Sequence, residues 1–429
     1  MYHSYSKPFL LVFLLGIMGA TTTFAQKSNR ENIPYTRFGM GDYRNGANGM
    51  LRGMGSISSA YSNENAINTD NPASYADFKL TVYEAGVEGS RSTVSNKGTT
   101  SPTGTFTLSH LTIGIPLGKN FGMVMGLQPY TRIYYNTVDT AEVSGLGPSI
   151  RGYTGDGGVN IGYLGFAGRY KGFSAGVNVG YMFGSINHAS TLRNVYDTTH
   201  YFGSAFSQFT RVGDVYYKAG MMYTHSIHKD LGFRIGATYS GKQQISAKRD
   251  SYEYIFRSYP SSGIEVKDTA VSLQNVKGSH TIPSTITAGV QVFSGRNWAA
   301  GVDFSLANFK QYRNFGQVDS VANNAYKIAV GGEYTPNPTS LNSYLNRVTY
   351  RIGFYYGKDY VQLRNTDLNY YAVTVGASLP FRRSFDKVHM ALEVGKRGTN
   401  TNGLIKQNFV KLSVGMSLND RWFVKRKYD

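Results

Sequence analysis

The sequence predicts an all-β transmembrane barrel, and three observations support this prediction. From about residue 79 onward, apolar residues alternate with small or polar residues, which is the period of a β-strand. Glycine, tyrosine and phenylalanine number 50, 34 and 24 among 429 residues, whereas only 16% of the residues are charged. The polar face of the alternation is mostly Gly, Ser, Thr and Asn, so a water-soluble sandwich, whose outer face is rich in charge, fits the sequence less well.

The first 25 residues have the pattern of a secretory signal peptide. Lys7 precedes an apolar stretch from Pro8 to Ala20, and Thr23-Phe24-Ala25 provides a cleavage site after Ala25. Cysteine is absent, which argues against a lipoprotein anchor, disulfides and thiolate chemistry. After Ala20 no apolar run reaches the roughly 18 residues that a membrane helix needs. We therefore expect export to the outer membrane of a Gram-negative-type bacterium.

Residues 26–77 lack the alternation and are rich in Gly, Asn, Ser and Ala. A wide barrel leaks unless its lumen is filled. We therefore predict that residues 26–77 form a hatch inside a barrel made by residues 78–429. A disordered periplasmic tail is the alternative for the same segment.

Connector lengths predict about fourteen antiparallel strands. In Phe173–Phe183 one face carries aromatic and aliphatic residues, and the other carries small or polar ones. Short turns such as Lys171-Gly172 alternate with longer polar segments along the chain. An even strand number returns both ends of the wall to the periplasm, and twelve or sixteen strands remain open. The longer segments lie near residues 92–103, 138–155, 187–206, 248–272, 357–368 and 397–405.

The formal charge of +18 does not predict a nucleic-acid partner, because the lysines and arginines are scattered singly along an exported chain. We expect the basic surface to face anionic outer-membrane lipid and lipopolysaccharide. The barrel-assembly machinery is the expected partner during biogenesis.

Three blocks of sequence resemble the FadL/TodX family of outer-membrane channels for long-chain fatty acids and other hydrophobic compounds. The first is the glycine-rich stretch from Arg52 to Ser74, which contains Asn71-Pro72-Ala73. The others are Ile282–Phe304 and Tyr326–Tyr356. The resemblance implies a monomeric barrel with a hatch and a lateral opening at a kinked third strand. The basic end Trp422–Asp429 departs from the family pattern.

Pro129 is the candidate lateral gate. Proline lacks a backbone N–H and marks a bulge or a break in a barrel wall. The family resemblance places the kink of the third strand at Pro129, and an edge-like proline near the rim is the alternative. Asn71, Pro72 and Ala73 match the family's hatch triplet, in which Asn fixes a turn through its side chain. A structural turn and a moving switch are equally open for this triplet.

Five charged residues are expected to face the lumen, by alternation. Such charges pair with one another or with the hatch, or a cation binds the carboxylate head group of a solute. They are Arg234, Asp303, Lys327, Glu333 and Arg351.

No catalytic, metal or cofactor site is predicted. His389 has no partner motif for nucleophilic catalysis, and His225 and His228 have no third metal ligand. The expected function is passive uptake of hydrophobic small molecules such as long-chain fatty acids. The alternative is a non-transporting barrel partner of a secretion or surface-attachment machinery of the type nine kind, for which the tyrosine-rich segment Tyr252–Tyr259 suits a protein interface.

Overall fold

The computed structural model describes residues 32–44, 46–96, 99–195, 202–228, 230–259, 263–382 and 384–422. The predicted signal peptide and the basic residues 423–429 lie outside the described residues.

The described strands form one antiparallel sheet that closes on itself, because β18 pairs along its whole length with β2. The strands are β1 (Asp42–Tyr43), β2 (Thr81–Asn96), β3 (Thr99–Pro116), β4 (Phe121–Val143), β5 (Gly147–Tyr170), β6 (Phe173–Asn194), β7 (Gly203–Ser226), β8 (Leu231–Ser240), β9 (Gln243–Tyr259), β10 (Gly263–Ile282), β11 (Thr285–Ser294), β12 (Trp298–Ala307), β13 (Arg313–Asn314), β14 (Ala325–Tyr334), β15 (Thr349–Leu363), β16 (Thr366–Pro380), β17 (Lys387–Gly398) and β18 (Lys406–Asp420).

The wall has 14 strands, which confirms the predicted count. Two of these wall strands are interrupted: β8 continues into β9 after residues 241–242, and β10 continues into β11 after residues 283–284. The first half of β7 pairs with β9 and its second half pairs with β8. The two-residue strands β1 and β13 lie beside the wall and are not part of it.

The predicted alternation of faces is confirmed on β6. Phe173, Val179 and Tyr181 point outward and are exposed, whereas Ser174 and Asn178 point into the lumen and are buried. Exposed aliphatic and aromatic side chains on the other wall strands continue this belt, which is the surface that a lipid bilayer covers. In the described part of the chain, no helix has the length and apolar character needed to cross a membrane.

Several polar segments that the sequence predicts as long connectors are strand instead. β5 has 24 residues, whereas β12 has 10, and about 10 residues span a bilayer. The apolar alternation ends where the wall leaves the membrane, but the backbone pairing continues. Sequence periodicity therefore underestimates the length of these strands. The extended parts of β4, β5, β6, β7, β9 and β10 form a raised sheet on one side of the barrel mouth.

The described residues that precede β2, 32–44 and 46–80, lie in the lumen. A one-turn helix, α1 (Gly49–Arg52), is capped by Asn48, whose side chain accepts a hydrogen bond from Leu51 N at 3.0 Å. A 3₁₀ helix follows at Pro72–Asp77. Other 3₁₀ turns lie at Pro34–Arg37, Phe309–Gln311, Leu345–Arg347 and Thr401–Gly403. Lumen-facing glycines of the wall let the hatch backbone approach closely, since a Cβ on Gly353 would overlap Met54 and Gly55.

Gly353→Val is therefore expected to displace the hatch and leave the barrel closed. Overpacking of a buried contact costs about 1–3 kcal/mol. In the folded barrel, shown by heat-modifiable gel migration, trypsin should cleave the hatch of this variant much faster than that of the wild-type chain.

Gly162→Val is the matched control, because a Cβ there meets only Phe183, at 4.0 Å. Equal trypsin resistance of the hatch in Gly353→Val and in the wild-type chain would show that this close approach does not hold the hatch.

Candidate functional site

The ladder between β3 and β4 ends early and leaves a gap in the barrel wall. β3 and β4 pair only from Pro116 and Gly122 up to Leu111 and Leu127, although both strands continue far beyond. Pro129 lies two residues past the last pair. On its other side, β4 shifts register against β5 between Pro129 and Thr131. The proline therefore lies at a bulge beside the gap, and its role as a gate stays a prediction.

Residues 32–44 run along the free edge of β4 and occupy this gap. The segment begins at Asn32, where Asn32 Nδ2 donates to Asn136 O at 2.7 Å and Asn136 N donates to Asn32 Oδ1 at 2.9 Å. Lower down, Ile33 N donates to Tyr134 O at 3.0 Å, and Arg44 N donates to Tyr130 O at 2.8 Å.

Two further contacts fix the register of this segment, which we call the gap segment. β1 pairs with β4 through Asp42 with Arg132 and Tyr43 with Thr131. On the β3 side, Asn32 N donates to Thr103 Oγ1 at 2.5 Å. The gap segment therefore covers the gap from beside the wall, with β1 paired to β4 and Asn32 bound to β3.

An aromatic cluster packs against the gap segment at the mouth of the barrel. The ring of Tyr43 lies 5.5 Å from Tyr130, 5.7 Å from Phe309 and 5.3 Å from Tyr360, in edge-to-face geometry. Phe309 and Tyr360 stack at 5.0 Å. The hatch, β4, β15 and the connector between β12 and β13 all contribute rings to this cluster.

Asn71, Pro72 and Ala73 lie deep in the lumen against the wall. Asn71 Oδ1 accepts from Ala73 N at 3.0 Å and caps the 3₁₀ helix that Pro72 begins. Asn71 Nδ2 donates to Ser59 O at 2.5 Å and to Met221 O at 3.3 Å. The triplet therefore joins two parts of the hatch to β7.

Four of the five predicted lumen charges bind the hatch or one another. Asp303 accepts hydrogen bonds from Ser58 N at 2.7 Å and from Ser59 N at 2.9 Å. Arg234 Nη1 donates to Ser62 O at 3.4 Å.

Glu333 and Arg351 form an ion pair at 2.8 Å. The hydroxyl of Tyr61, in the hatch, donates to Glu333 at 3.2 Å. Lys327 differs in that its Nζ lies over the ring of Tyr355, 4.7 Å from the ring centroid.

The strongest hatch contacts involve residues that the sequence analysis did not single out. Arg52 of α1 binds Glu88 at 2.5 Å and Glu393 at 3.2 Å. Arg44 adds a second contact to Glu88 at 2.7 Å. All four side chains are at most 10% exposed. Glu88 and Glu393 occupy lumen-facing positions in the alternation of their strands. Many other residues of the wall occupy such positions, so the alternation does not distinguish these two glutamates.

A second ion pair network lies nearer the mouth. Arg397 binds Asp42 of the gap segment at 2.8 Å and Asp359 of β15 at 2.5 Å. Burial raises the pKa of Asp42, but Arg397 and Arg44 lower it by more, so this pKa lies below its ordinary value. Asp42 therefore stays ionised and tied to the wall at neutral pH.

The same balance keeps Arg52 charged. Burial lowers the pKa of Arg52, and Glu88 and Glu393 raise it by more, so the net shift is upward. Burial and Glu333 both raise the pKa of Tyr61, which therefore remains a hydrogen-bond donor.

His389 connects neighbouring wall strands. Its ring nitrogens bind Ser378 Oγ and Ser417 Oγ, each at 2.5 Å, and the side chain is 2% exposed. Because the ring is enclosed beneath α1, the arrangement fits a structural bridge between β16, β17 and β18.

A cavity of about 450 Å³ lies between the hatch and the wall. The gap segment contributes Asp42, Tyr43 and Arg44 to its lining, and β4 contributes Gln128 and Tyr130. The cavity therefore reaches the gap beside Pro129 from the lumen side.

Solved structures that superimpose over most of this chain are described as toluene transporters and as a FadL homologue. The toluene transporter TodX of Pseudomonas putida superimposes with a TM-score of 0.59 at 15% identity, over 90% of this chain and 100% of that one. The toluene transporter TbuX of Ralstonia pickettii gives 0.57 at 13% identity, over 87% and 98%. A FadL homologue of Pseudomonas aeruginosa gives 0.54 at 10% identity, over 89% and 99%. No curated protein matches the sequence.

The fold and the filled lumen define a hatch-plugged transmembrane β-barrel with the architecture of the FadL/TodX channels, which confirms the predicted resemblance. More particularly, the chain belongs to the BamG family, whose model matches residues 6–429.

Removing the guanidinium of Arg52 should release the hatch. Arg52→Met leaves Glu88 and Glu393 as buried carboxylates without this partner, and breaking a buried ion pair costs about 3–5 kcal/mol. We expect the hatch of this variant to become sensitive to protease at a clearly lower urea concentration than the hatch of the wild-type chain.

Arg296→Met is the control, because Arg296 forms an exposed pair with Glu64 at 3.4 Å, and exposed pairs contribute about 0–1 kcal/mol. If Arg52→Met and Arg296→Met expose the hatch at the same urea concentration, the buried network does not hold it.

Proposed function

We propose that this protein is an outer-membrane channel through which hydrophobic compounds cross the barrel wall, and that residues 32–44 form its gate. The observation that carries the proposal is the gap between β3 and β4, which the chain closes with a hatch segment in place of a wall-to-wall ladder. A hydrophobic solute that left through this gap would enter the bilayer directly.

Two further observations support the same function. The similar structures include proteins described as toluene transporters, a monoaromatic hydrocarbon channel and a FadL homologue. The cavity behind the gap segment also provides a binding site for a solute before it passes through the gap. In this scheme the barrel acts as a monomer in the outer membrane, and long-chain fatty acids belong to the candidate substrates.

The scheme assigns different tasks to the two parts of the hatch (residues 26–77). The deep part, with Asn71-Pro72-Ala73 and Arg52, is bound to several strands and acts as the fixed plug. The gap segment lies along the free edge of β4 and is also bound by Arg397, Glu88, Asp319 and Ile405. In this scheme it is the part that moves, because it fills the gap in the wall. Pro129 lies at the irregular part of β4, where the register against β5 shifts and the ladder to β3 has ended.

A reversible cross-link tests the gate. Asp42 and Arg132 are direct partners of β1 and β4, and the native chain has no cysteine. Asp42→Cys with Arg132→Cys should form a disulfide that locks the gap segment. We expect oxidation to lower uptake of radiolabelled toluene to the level of cells that lack the protein, and reduction to restore it.

A second disulfide serves as the control. Asp139 and Arg151 are partners of β4 and β5 in the raised sheet, so Asp139→Cys with Arg151→Cys links two strands without touching the gap segment. Uptake should be unaffected by oxidation of this pair. Undiminished uptake through the oxidised Asp42–Arg132 variant would mean that the gap is not the exit.

A partner barrel in an assembly or secretion machinery is the second candidate function. Membership of the BamG family hints at a relation to barrel assembly. The raised sheet favours this function as well, since its wide polar surface carries exposed apolar side chains such as Val138 and Leu273. A protein partner at the mouth would bind this sheet and not the lumen.

Shortening the raised sheet separates the two functions. Residues 140–150 can be replaced by Asn-Gly, which joins the paired residues Asp139 and Arg151 in a tight turn. For a channel we expect normal toluene uptake by this variant. Normal levels of other outer-membrane proteins would also count against the partner function, whereas their loss with uptake intact would favour it.

A further inference from the structure

The connector between β12 and β14, residues 308–324, is bound on two sides of the barrel mouth, and we call it the mouth connector. On one side its strand β13 pairs with β10, so that Asn314 lies opposite His280. On the other side Ala322 N donates to Tyr360 O of β15 at 2.6 Å. The mouth connector therefore reaches from β10 to β15.

The mouth connector also binds the gap segment. Asp319 Oδ2 accepts a hydrogen bond from Gly39 N at 2.7 Å, and the ring of Phe309 packs against that of Tyr43. The side chain of Tyr312 is fully buried by the same packing. A displacement of the mouth connector would therefore expose apolar rings and remove one contact of the gap segment.

His280 is enclosed beneath the mouth connector. Its side chain is 3% exposed, and neither ring nitrogen has a hydrogen-bond partner among the described residues. The imidazole meets the ring of Phe315 edge to face, with the centroids 5.7 Å apart. The guanidinium of Arg249 lies over the same Phe315 ring, with Cζ 3.6 Å from the centroid. A neutral imidazole tolerates this enclosure, whereas an imidazolium would bury a charge and two unpaired donors beside an arginine.

A second histidine, His188 of β6, lies close enough to His280 for the two charges to interact. Its Nδ1 lies 2.7 Å from the hydroxyl oxygen of Tyr135. Both histidines belong to the extended parts of their strands, beyond the membrane-spanning segments. The charged groups that face the two imidazoles are Arg249 of β9, Arg37 of the gap segment, Asp319 of the mouth connector and Asp156 of β5.

This environment keeps both imidazoles neutral at neutral pH. Burial lowers the pKa of His280 to about 4, and Arg249 and His188 add to the effect. Burial and Arg37 lower the pKa of His188 to about 4 as well, although Asp319 opposes part of the shift. An imidazole in water has a pKa of about 6.5. An open mouth, in which the rings meet water, therefore binds more protons than a closed one, and the closed form loses stability as the pH falls from about 6.5 toward about 4.

We propose that the mouth connector is an acid-sensitive lid, which stays closed while His280 and His188 are neutral and opens when they take up protons. Opening relieves the repulsion among the two imidazolium groups, Arg249 and Arg37, and it gives the ring N–H groups water as an acceptor. The lid goes beyond the proposed function, because it acts at the outer mouth and not at the gap between β3 and β4.

Single cysteines report the opening, because the native chain has none. Ala322→Cys places a thiol at a fully buried position of the mouth connector, and Val318→Cys places one at a position that is 71% exposed. Each folded full-length variant in detergent is treated with a dipyridyl disulfide, and the ratio of the two rates cancels the effect of pH on the thiol itself. We expect the Ala322 rate relative to the Val318 rate to rise roughly tenfold or more between about pH 7.5 and about pH 5.

Neutral replacements of both histidines should abolish this rise. His280→Leu with His188→Gln cannot take up protons, and the glutamine keeps a polar partner for Tyr135. We expect its rate ratio at about pH 7.5 to match that of the parent and to change less than about twofold at about pH 5. His280→Gln with His188→Gln repeats the test with a polar side chain at the first position, and heat-modifiable migration verifies that each variant is folded.

The matched control is His228→Leu with His225→Leu, two exposed histidines at the periplasmic end of the barrel. This variant should keep the full rise. A constant ratio in the parent chain, or a full rise in both neutral double variants, would overturn the acid-sensitive lid. Because toluene uptake plays no part in the measurement, that outcome would leave the channel function standing.

Discussion

The position of the hatch depends on the pairing of Arg52 with Glu88 and Glu393 inside the barrel. Charges removed from water are costly unless they are paired, and the lumen of a filled barrel is such an environment. Glu88 and Glu393 are on the wall, and the arginine that pairs with both is on the hatch, so these ion pairs join the two parts. This division makes an empty barrel electrostatically unfavourable and gives the plug a defined place.

The backbone approach of hatch and wall follows from the same requirement. For Arg52 to reach both carboxylates, α1 must lie close to β16, β17 and β18. Gly53 of the hatch faces Gly376 of β16. Because neither residue has a side chain, the two backbones can approach closely at this point. The glycine content of the wall is thus explained by packing against the hatch as much as by turns.

Much of the fold could be predicted from the sequence, because a strand in a lipid-facing wall alternates apolar and polar residues along its length. The alternation in β6, for example, fixes which residues face the bilayer and therefore which face the lumen. The hatch could also be inferred, since a segment without alternation precedes a barrel that needs filling. The raised sheet could not, because β5 loses its apolar face outside the membrane and keeps only its backbone pairing, which has no signature in the sequence.

The site was less accessible to prediction, and the reason is physical. Alternation places Asp303 and Glu393 equally on the lumen face, but which charge meets which depends on strand stagger and on the path of the hatch. The gap illustrates the limit: Pro129 signals an irregular edge of β4, yet its partner is Asp42-Tyr43 in a segment with no strand pattern of its own. The strand structure of β1 depends on its pairing with the edge of β4 and not on a pattern in its own two residues. Within the described chain, the gap beside β4 is therefore covered by a segment with little strand structure of its own, and only two residue pairs of strand join that segment to the wall.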